Sequence, residues 1–236
     1  MLWESTHSIQ MAGPEVSTVP LVSVIVPVYN QERFLGRCLR SLVAQDFPRD
    51  GYEIVVVDDG SSDGTCHILE LFHEEIRTLR NEANAGLPAA LNMGIRSSSS
   101  LFTVRVDSDD YVNAEFIRVL YTFLAQNHYM DAVACDYVLV DDSETILERR
   151  NCEDHPIACG IMFRTDQLID VGLYDEEFLL HEERDLRLRF LEKHSIHRIE
   201  APLYRYRRHD GNITNDVEAM AHHFEMLAEK HGEQHA

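Results

Sequence analysis

The sequence predicts an α/β fold in which a doubly wound, mostly parallel, Rossmann-like sheet is flanked by helices. The first observation is that residues 22–28 and 52–57 form nearly continuous apolar runs, the pattern of strands covered on both faces. The second is that segments of helical periodicity separate the strand-like runs, so that strand and helix alternate four times with short connections. Such alternation indicates βαβ units and therefore a largely parallel sheet.

The first half of the chain is regular, and the second half is less so. In order, we predict strands at 22–28, 52–57, 78–80, 101–106 and 131–140, and helices at 34–43, 65–76, 87–95 and 114–126. The later elements are strands at 160–163 and 203–207 and helices at 184–193 and 217–230. We expect one α/β domain at 20–215, between a flexible tail at 1–19 and a C-terminal helix and tail at 216–236.

Composition and charge exclude several classes of protein. The chain has 236 residues, 44% of them hydrophobic, and its net charge of −20 would repel nucleic acids and anionic membranes. Apolar runs stay short of the ~20 residues that span a bilayer, and residues 1–20 lack the regions of a signal peptide. The five cysteines show no CxxC spacing. We expect a cytoplasmic protein with no nucleic-acid partner, no transmembrane segment and at most peripheral membrane association.

Carboxylates are concentrated where two predicted strands end. Asp58 and Asp59 follow the second strand, whereas Asp107, Asp109 and Asp110 follow the fourth. The carboxyl ends of parallel strands meet at one edge of an open α/β sheet, where ligands collect. Carboxylates so close together repel one another unless a cation offsets them, and oxygen-rich clusters suit Mg²⁺ or Mn²⁺. The alternative is that Asp, Ser and Gly only make good turns after strands.

The turn after the first strand lacks two common phosphate-binding motifs. Its sequence, from Val28 to Glu32, contains neither the GxGxxG of dinucleotide-binding folds nor the GxxxxGK[ST] of P-loops. The diphosphate of a bound nucleotide would therefore need a metal ion in place of a glycine-rich cradle. The acidic cluster would supply the ligands of that ion.

Four segments, in this order, resemble the motifs of glycosyltransferase family 2. They are SVIVPVYN at 23–30, VVDDGSSDGT at 56–65, the stretch at 84–92 that begins with NAG and ends with ALN, and DSDD at 107–110, a DXD motif. The resemblance covers about residues 21–210. It implies a GT-A fold, usually inverting chemistry and a nucleotide-sugar donor. The nucleotide-sugar half would lie at about 20–112 and the acceptor half at about 113–215.

The resemblance also implies roles for single residues of a donor site. Pro27 and Tyr29 would line the pocket of the base, Tyr29 by stacking on it. Asp59 would accept a hydrogen bond from the base, with Asp58 beside it as support, and Asp107 would face the ribose. The other nucleotide-sugar-binding residues that it implies are Asn30, Asn84, Gly86 and Ser108.

A metal site follows from the same resemblance. Asp109 would ligate a divalent cation, Mn²⁺ or Mg²⁺, between the phosphates, with Asp107 facing its water shell and Asp110 close by. His209 follows the last predicted strand, where related enzymes often have a histidine that approaches the metal or diphosphate; the alternative is a surface residue. Leu91 departs from the family pattern, because many relatives carry an arginine there that would contact the nucleotide or diphosphate.

Residues 182–186 are similar to the family stretch Glu-Asp-x-Asp-Leu, whose second acid is the usual catalytic base. Glu183 takes that position, one methylene longer than Asp, and Glu182 and Asp185 are the alternates. A carboxylate suits the role because the acceptor hydroxyl must lose its proton as it attacks the anomeric carbon. The alternative is a solvated acidic first turn of a helix. A zinc-protease motif, His-Glu-x-x-His, is excluded because Asp185 stands at its fifth position.

The sequence thus predicts a metal-dependent inverting glycosyltransferase. It would move a sugar from a nucleotide diphosphate sugar, a UDP-sugar, to a hydroxyl of a carbohydrate, lipid-linked or protein acceptor, in polysaccharide or glycoconjugate synthesis. One alternative is a catalytically weak nucleotide-sugar-binding or regulatory module, which Leu91 and the Glu183 substitution favour. The other is a nucleotidyltransferase, which would normally carry a Gly-rich, basic loop after the first strand.

Two groups of basic residues remain near the C-terminus. Arg205, Arg207 and Arg208 would either pair with a diphosphate or balance nearby acids. The histidines of the last helix and tail are not spaced so that they would share a partner, and we expect them to be solvated. They are His222, His223, His231 and His235.

Overall fold

Nine strands form one sheet in the computed structural model, which describes residues 19–212 and 217–232. The strands are β1 (Val22–Val28), β2 (Tyr52–Asp58), β3 (Arg77–Arg80), β4 (Phe102–Arg105), β5 (Tyr111–Val112), β6 (Ala132–Val140), β7 (Ile146–Arg150), β8 (Ile161–Arg164) and β9 (Ile196–Arg207). The helices are α1 (Leu35–Val43), α2 (Thr65–Leu71), α3 (Leu87–Ser97), α4 (Phe116–Gln126), α5 (Thr165–Asp170), α6 (Glu182–Leu191) and α7 (Val217–His231). Neighbouring strands follow the order β3-β2-β1-β4-β8-β6-β9-β5, and β7 pairs with β6.

The first four strands form the parallel part of the sheet, with β1 between β2 and β4 and β3 outside β2. Every residue of β1 is buried, which explains the uninterrupted apolar run in its sequence. α3 packs closely on β1 and β2, because Gly94 has no side chain: a Cβ there would lie 2.6 Å from Cγ2 of Ile25. The predicted α/β class with flanking helices is confirmed.

The remaining strands are mixed in direction. β8 runs antiparallel between β4 and β6, while β5 runs antiparallel to β9 and β7 to β6. β6 and β9 pair in parallel. β9 spans 12 residues and begins at Ile196, well before the predicted strand at 203–207. Its first three residues, Ile196, His197 and Arg198, are only partly buried, so backbone pairing with β6 and not a continuous apolar run makes them a strand.

Several element bounds differ from the predictions. β5, β7 and α5 were not predicted; four of the five residues of β7 are exposed, so its sequence carries no burial pattern. α2 ends at Leu71 and not at residue 76, and residues 72–75 form turns. α6 begins at Glu182, two residues before the predicted start at 184. The acids at 182, 183 and 185 therefore all lie in the first turn of a helix.

The carboxyl ends of β1, β2 and β4 meet at one edge of the sheet, as predicted. The register pairs Val28 of β1 with Asp58 of β2, and β4 lies on the other side of β1. The acidic segments that begin at Asp59 and Asp107 therefore lie close to each other. The buried core runs through both halves of the described chain.

Some predictions fall partly or wholly outside the described residues. The N-terminal tail predicted at 1–19 is described only at Val19, and His235 is not described. The domain boundaries stay predictions. Among the helices of the described residues, none is both long and apolar enough to cross a bilayer.

Candidate active site

A cleft of about 550 Å³ opens where β1, β2 and β4 end. This volume lies within the range of pockets that bind small molecules. Eight residues that the sequence assigned to the donor and the metal line the cleft: Pro27, Tyr29, Asp59, Asn84, Gly86, Asp107, Ser108 and Asp109. The fold thus brings side chains from four separate segments of the chain to one site.

The segment after β1 brings an aromatic ring to the cleft. Tyr29 is 45% exposed and lies beside Pro27, so its ring is available for stacking on a planar group. Asn30 has a φ of 51°, and its Oδ1 accepts a hydrogen bond from the Ser62 amide at 2.8 Å. Its own amide donates to Oγ of Ser61 at 2.9 Å. The side chain of Asn30 therefore holds the loop that follows β2.

Asp58 is fully buried beneath this loop. Its Oδ2 accepts a hydrogen bond from Nη1 of Arg80 on β3 at 2.5 Å. Its Oδ1 accepts one from the Ser61 amide at 2.9 Å. These contacts tie the turn after β2 to β3, so Asp58 positions the turn that carries Asp59.

Asp59 anchors the loop at 81–86, which forms part of the cleft wall. Its Oδ1 accepts hydrogen bonds from Nδ2 of Asn81 at 2.6 Å and from the Ala85 amide at 2.9 Å. Its Oδ2 accepts one from the Gly86 amide at 2.9 Å. Gly60 has a φ of 79°, and a Cβ there would lie 2.8 Å from the backbone of this loop. A base in the cleft would therefore add its hydrogen bond to a carboxylate that already has three donors.

Arg105 lines the cleft and joins it to α6, which the sequence did not lead us to predict. Its Nε and Nη2 donate to the two carboxylate oxygens of Asp107 at 2.6 and 3.2 Å. Its Nη1 donates to Oε1 of Glu182 at 2.9 Å. Arg105 is 7% exposed, so the three charges are largely removed from water. The sequence feature that could have indicated these ion pairs is an arginine inside an otherwise apolar strand, because a buried charge needs partners.

Asp110 is buried and supports the DSDD segment. Its Oδ1 accepts a hydrogen bond from the Arg207 amide at 2.7 Å, and its Oδ2 accepts one from the Tyr204 hydroxyl at 2.7 Å. Burial, together with the charges of Asp109 and Asp107, raises the pKa of Asp110 well above its usual range. These contacts hold the segment against β9.

Asp109 and His209 are well placed to hold a divalent cation. Oδ2 of Asp109 lies 3.0 Å from Nε2 of His209. Two adjacent ligands of one ion lie about 3 Å apart when each is bound at ~2.1 Å in octahedral geometry. Nδ1 of His209 accepts a hydrogen bond from the Gly211 amide at 3.1 Å, which aims Nε2 at Asp109, and the ring packs on Phe34. Nε of Arg207 fixes the backbone carbonyl of Asp109 at 2.9 Å. These residues fit the divalent cation that the family resemblance implies.

A second group of ligand-type atoms suits a metal less well. Atoms of Asp107, Asp110 and Cys159 lie within 4.8 Å of one another. Asp107 is engaged by Arg105, however, and burial raises the pKa of the Cys159 thiol well above its usual range. A protonated thiol is a poor ligand, since the thiolate is the form that binds metals.

The three acids in the first turn of α6 have different surroundings. Glu182 is 4% exposed and is paired with Arg105. Asp185 is 0% exposed. Glu183 is half-buried and lines a second cavity of about 430 Å³, beside residues 156–158. Of the three acids, Glu183 is the one that lines a cavity large enough for a substrate.

Asp185 ties α7 to α6. Its Oδ2 accepts hydrogen bonds from Nε and Nη2 of Arg189 at 2.9 and 2.6 Å. Its Oδ1 lies 2.7 Å from Nζ of Lys230 and 2.8 Å from Nε2 of His231. With these contacts on a fully buried carboxylate, Asp185 has no access to a substrate. The prediction that His231 is solvated is wrong: its side chain is 11% exposed, because α7 packs back onto α6.

Replacing Asp185 with Asn is expected to lower the free energy of unfolding by about 2 kcal/mol, less than the ~3–5 kcal/mol for fully buried pairs. The value is discounted because the side chains of Lys230 and Arg189 are 35% and 20% exposed. Urea unfolding followed by circular dichroism measures it. Asp166→Asn, which changes an exposed acid of α5, serves as the control and should cost less than about 0.5 kcal/mol. Equal stability of the two variants would contradict this role.

Glu182 should make stability depend on pH. Burial raises its pKa to about 7, although Arg105 opposes this shift. The unfolded chain releases this proton near pH 4.3, at the ordinary pKa of Glu. Between these values the folded state binds more protons than the unfolded state, so the free energy of unfolding falls as the pH rises. We expect the wild type to lose stability relative to Glu182→Gln from about pH 4.3 to pH 7 and the difference to level off above it. Melting curves of both proteins at stepped pH test this, and a constant difference would count against it.

Leu91 does not reach the cleft. It is fully buried in the core, whereas the preceding Ala90 lines the cleft. Position 91 therefore contributes to the packing of the core and offers no positive charge to a ligand. Other residues that line the cleft and that we did not predict are Gln31, Leu87, Leu179, Tyr206, Gly211 and Asn212.

Comparison with known proteins gives a family and a set of structural neighbours. The family model described as glycosyl transferase family 2 matches residues 23–194. TarS of Staphylococcus aureus, a poly(ribitol-phosphate) beta-N-acetylglucosaminyltransferase, is 38% identical over 109 residues, which is 45% of this chain and 19% of that protein. Glycosyltransferase AglE of Haloferax volcanii is 40% identical over 96 residues, which is 39% of this chain and 32% of that protein. The match to TarS therefore spans less than a fifth of that relative.

Solved structures share the fold. The structure of residues 1–349 of S. aureus TarS in complex with UDP has a TM-score of 0.70 at 25% identity, covering 88% of this chain and 70% of that one. Mannosyltransferase PcManGT from Pyrobaculum calidifontis, in complex with GDP-Man and Mn²⁺, has a TM-score of 0.71 at 19% identity, covering 90% of this chain and 64% of that one. The predicted GT-A fold is confirmed.

Proposed function

The chain belongs to glycosyl transferase family 2, and on this premise we propose that it is a metal-dependent inverting transferase that uses a UDP-sugar. The acceptor would be a hydroxyl group in polysaccharide or glycoconjugate synthesis. The observation that carries the proposal is the cleft itself: Tyr29, directly after β1, and Asp109 line it, and His209 lies 3.0 Å from Asp109.

The cleft suits a nucleotide diphosphate sugar. Tyr29 and Pro27 offer a flat surface for the base, and Asp59 offers a carboxylate lone pair beside it. UDP is favoured as the nucleotide because the TarS structure that contains UDP is a neighbour at 25% identity. The five cysteines are free thiols, which suits a reducing compartment, and we propose the cytoplasm.

Asp109 and His209 would hold the divalent cation, Mn²⁺ or Mg²⁺. When bound, the ion neutralises the negative charge that develops on the departing diphosphate. Arg105 donates hydrogen bonds to both carboxylate oxygens of Asp107 and so holds this carboxylate near the proposed cation site. Nδ1 of His209 accepts a hydrogen bond from the Gly211 amide, so a neutral ring carries its proton on Nε2. To bind the ion, Nε2 would have to give up that proton.

Glu183 is the proposed base on the acceptor side. It would take the proton of the acceptor hydroxyl as the oxygen attacks the anomeric carbon from the face opposite the diphosphate, which inverts the configuration. Its carboxylate lines a cavity, whereas Glu182 is held by Arg105 and Asp185 is enclosed by cations. The hydroxyl therefore has one accessible carboxylate among the three.

The second candidate is a nucleotide-sugar-binding module with weak catalysis. The buried Leu91 favours it, because this position gives the diphosphate no cation. A module would bind UDP and a UDP-sugar but release no UDP in the presence of acceptors. Family membership argues against the nucleotidyltransferase alternative.

A panel of nucleotides tests the proposed function. Melting temperatures are measured with UDP, GDP, UDP-sugars and GDP-sugars, with Mn²⁺ and with a chelator. The expected result is stabilisation by UDP compounds with Mn²⁺, about 2.7 kcal/mol when the ligand is at 100 times its Kd. Release of UDP from the stabilising UDP-sugar, with a panel of hydroxyl acceptors, then separates the transferase from the module. Stabilisation by no nucleotide at all would refute both.

A further inference from the structure

Arg105, the last residue of β4, joins the donor cleft to the helix that carries the proposed base. It is buried and it lines the cleft. Its Nε and Nη2 donate to the two carboxylate oxygens of Asp107, and its remaining nitrogen, Nη1, donates to Glu182 of α6. One guanidinium group is therefore bonded to the cleft on one side and to the first turn of α6 on the other.

The three charges of this group are not equally accessible from the cleft. The side chain of Asp107 is 23% exposed, whereas those of Arg105 and Glu182 are 8% and 6% exposed. Asp107 lines the cleft, and Glu182 is not among the described residues that line it. A ligand in the cleft therefore meets Asp107 directly, and it acts on Glu182 only through Arg105.

The acids in the first turn of α6 are held from two directions. Asp185 is bonded to cations of α6 and α7, whereas Glu182 is bonded to the donor half of the chain through Arg105. His181, directly before the helix, has a φ of 60°, a conformation that persists only where surrounding contacts hold it. Glu183 follows Glu182 directly, so the direction of its side chain depends on how Glu182 is held.

The segment before α6 meets the same guanidinium group. Tyr174 is buried, and burial raises the pKa of its phenol to about 12, although the charge of Arg105 opposes this shift. The amide of Tyr174 donates to Oδ1 of Asn92 at 3.0 Å, and its carbonyl accepts from Nδ2 of Asn92 at 2.8 Å. Asn92 belongs to α3, which also brings Leu87 and Ala90 to the cleft. Arg105 thus lies where several separate segments of the chain meet.

We propose that Arg105 is a positioning residue that couples the donor cleft to the first turn of α6. It contacts the donor site through Asp107 and holds, through Glu182, the turn that carries the proposed base. The inference rests on the proposed transferase function and deepens it, because it states how an occupied donor site aligns the base. Such alignment matters for rate, since a displacement of about 1 Å costs ~100-fold. The coupling is reciprocal, so a firmly held turn also strengthens binding of the donor.

Hydrogen exchange in the first turn of α6 tests the coupling without sugar transfer. The amides of Arg184 and Asp185 donate to the carbonyl of His181 at 3.0 and 3.1 Å, so their exchange rates, measured by NMR, report how firmly the turn is held. Without nucleotide, these amides should exchange about tenfold faster in Glu182→Ala than in the wild type. UDP should slow their exchange at least about fivefold in the wild type and leave it unchanged in Glu182→Ala.

Kinetics separates the two sides of Arg105. Glu182→Ala breaks only the α6 side, and it should lower kcat about tenfold while the Kd for UDP stays within about twofold of the wild type. Arg105→Gln breaks both sides and should also weaken UDP binding about tenfold. Glu182→Gln keeps an oxygen for Nη1 and should regain most of the kcat that Glu182→Ala loses. A general loss of stability would not produce this split between kcat and Kd.

Two further variants serve as control and as safeguard. Arg164→Gln removes an arginine of β8 that donates to the backbone carbonyls of Leu124 and Met130, and it should leave kcat, Kd and the exchange of the α6 turn unchanged. Arg105→Lys keeps the charge but lacks the planar fork that bridges two carboxylates. It should speed exchange in the α6 turn as Glu182→Ala does, and it replaces that variant if Glu182→Ala does not fold.

Two results would overturn the proposal. One is exchange in the α6 turn that is the same in the wild type, Glu182→Ala and Arg105→Lys. The other is a kcat of Glu182→Gln as low as that of Glu182→Ala, because Glu182 would then act through its own charge and not through its bond to Arg105.

Failure of the proposed function gives a different pattern. A wild type that binds UDP with slower exchange in the α6 turn, but transfers no sugar, refutes the transferase and leaves the coupling standing. A wild type that transfers sugar while UDP leaves exchange in this turn unchanged refutes only the coupling. A wild type that binds no UDP refutes both.

Discussion

Replacing Glu183 with Gln is expected to lower the rate of sugar transfer by about 100-fold or more and to leave the affinity for UDP nearly unchanged. Gln keeps the length of the side chain but cannot take a proton at neutral pH. A base interacts with the acceptor proton in the transition state, so its loss lowers kcat without weakening the donor complex. UDP release with an acceptor measures the first quantity, and calorimetry with UDP measures the second.

Glu182→Gln and Asp185→Asn are the matched controls, because both acids lie in the same helical turn. Their surroundings predict effects mainly on stability: Glu182 is paired with Arg105, and Asp185 with cations of α6 and α7. If Glu183→Gln keeps full transfer and Glu182→Gln loses it, the base is Glu182. Its pKa of about 7 would then suit proton transfer at neutral pH.

Replacing Asp109 with Asn is expected to weaken UDP binding in Mn²⁺ by about 100-fold or more, since even partners of metal ligands cost 10–100-fold when changed. Asn is neutral, so the ion loses a charged ligand and the diphosphate loses the ion. Calorimetry with UDP, in Mn²⁺ and in chelator, measures the effect. The wild type should bind UDP far more weakly in chelator, whereas the variant should bind it similarly in both.

Two further variants sharpen this test. His209→Ala should weaken UDP binding in Mn²⁺ in the same direction, because Nε2 of His209 lies 3.0 Å from Oδ2 of Asp109. Asp166→Asn, which changes an exposed residue that does not line the cleft, should bind UDP as the wild type does. UDP binding by the wild type that is equally tight in chelator would remove the metal from the donor site.

Local patterns predicted the parallel half of the fold. β1 and β2 could be predicted from their apolar runs because both faces of these strands are covered. The acids after β2 and β4 could be placed because each group directly follows the end of a strand. β7 and the first part of β9 were not visible, because pairing with β6 makes them strands while their side chains stay exposed or only partly buried. A sequence records burial more directly than it records backbone pairing.

The sequence by itself determined the family resemblance, the parallel half of the sheet and the residues at the end of each early strand. The family resemblance put Glu183 ahead of Glu182 and Asp185, but the residues themselves did not separate the three, because neighbouring positions of one helical turn look alike until their partners are known. Those partners come from far along the chain: Arg105 is 77 residues from Glu182, and Asp109 is 100 residues from His209. Only the tertiary structure decided which acids are enclosed by cations and which one lines a cavity, because the burial and pairing of a charge depend on what the fold packs against it.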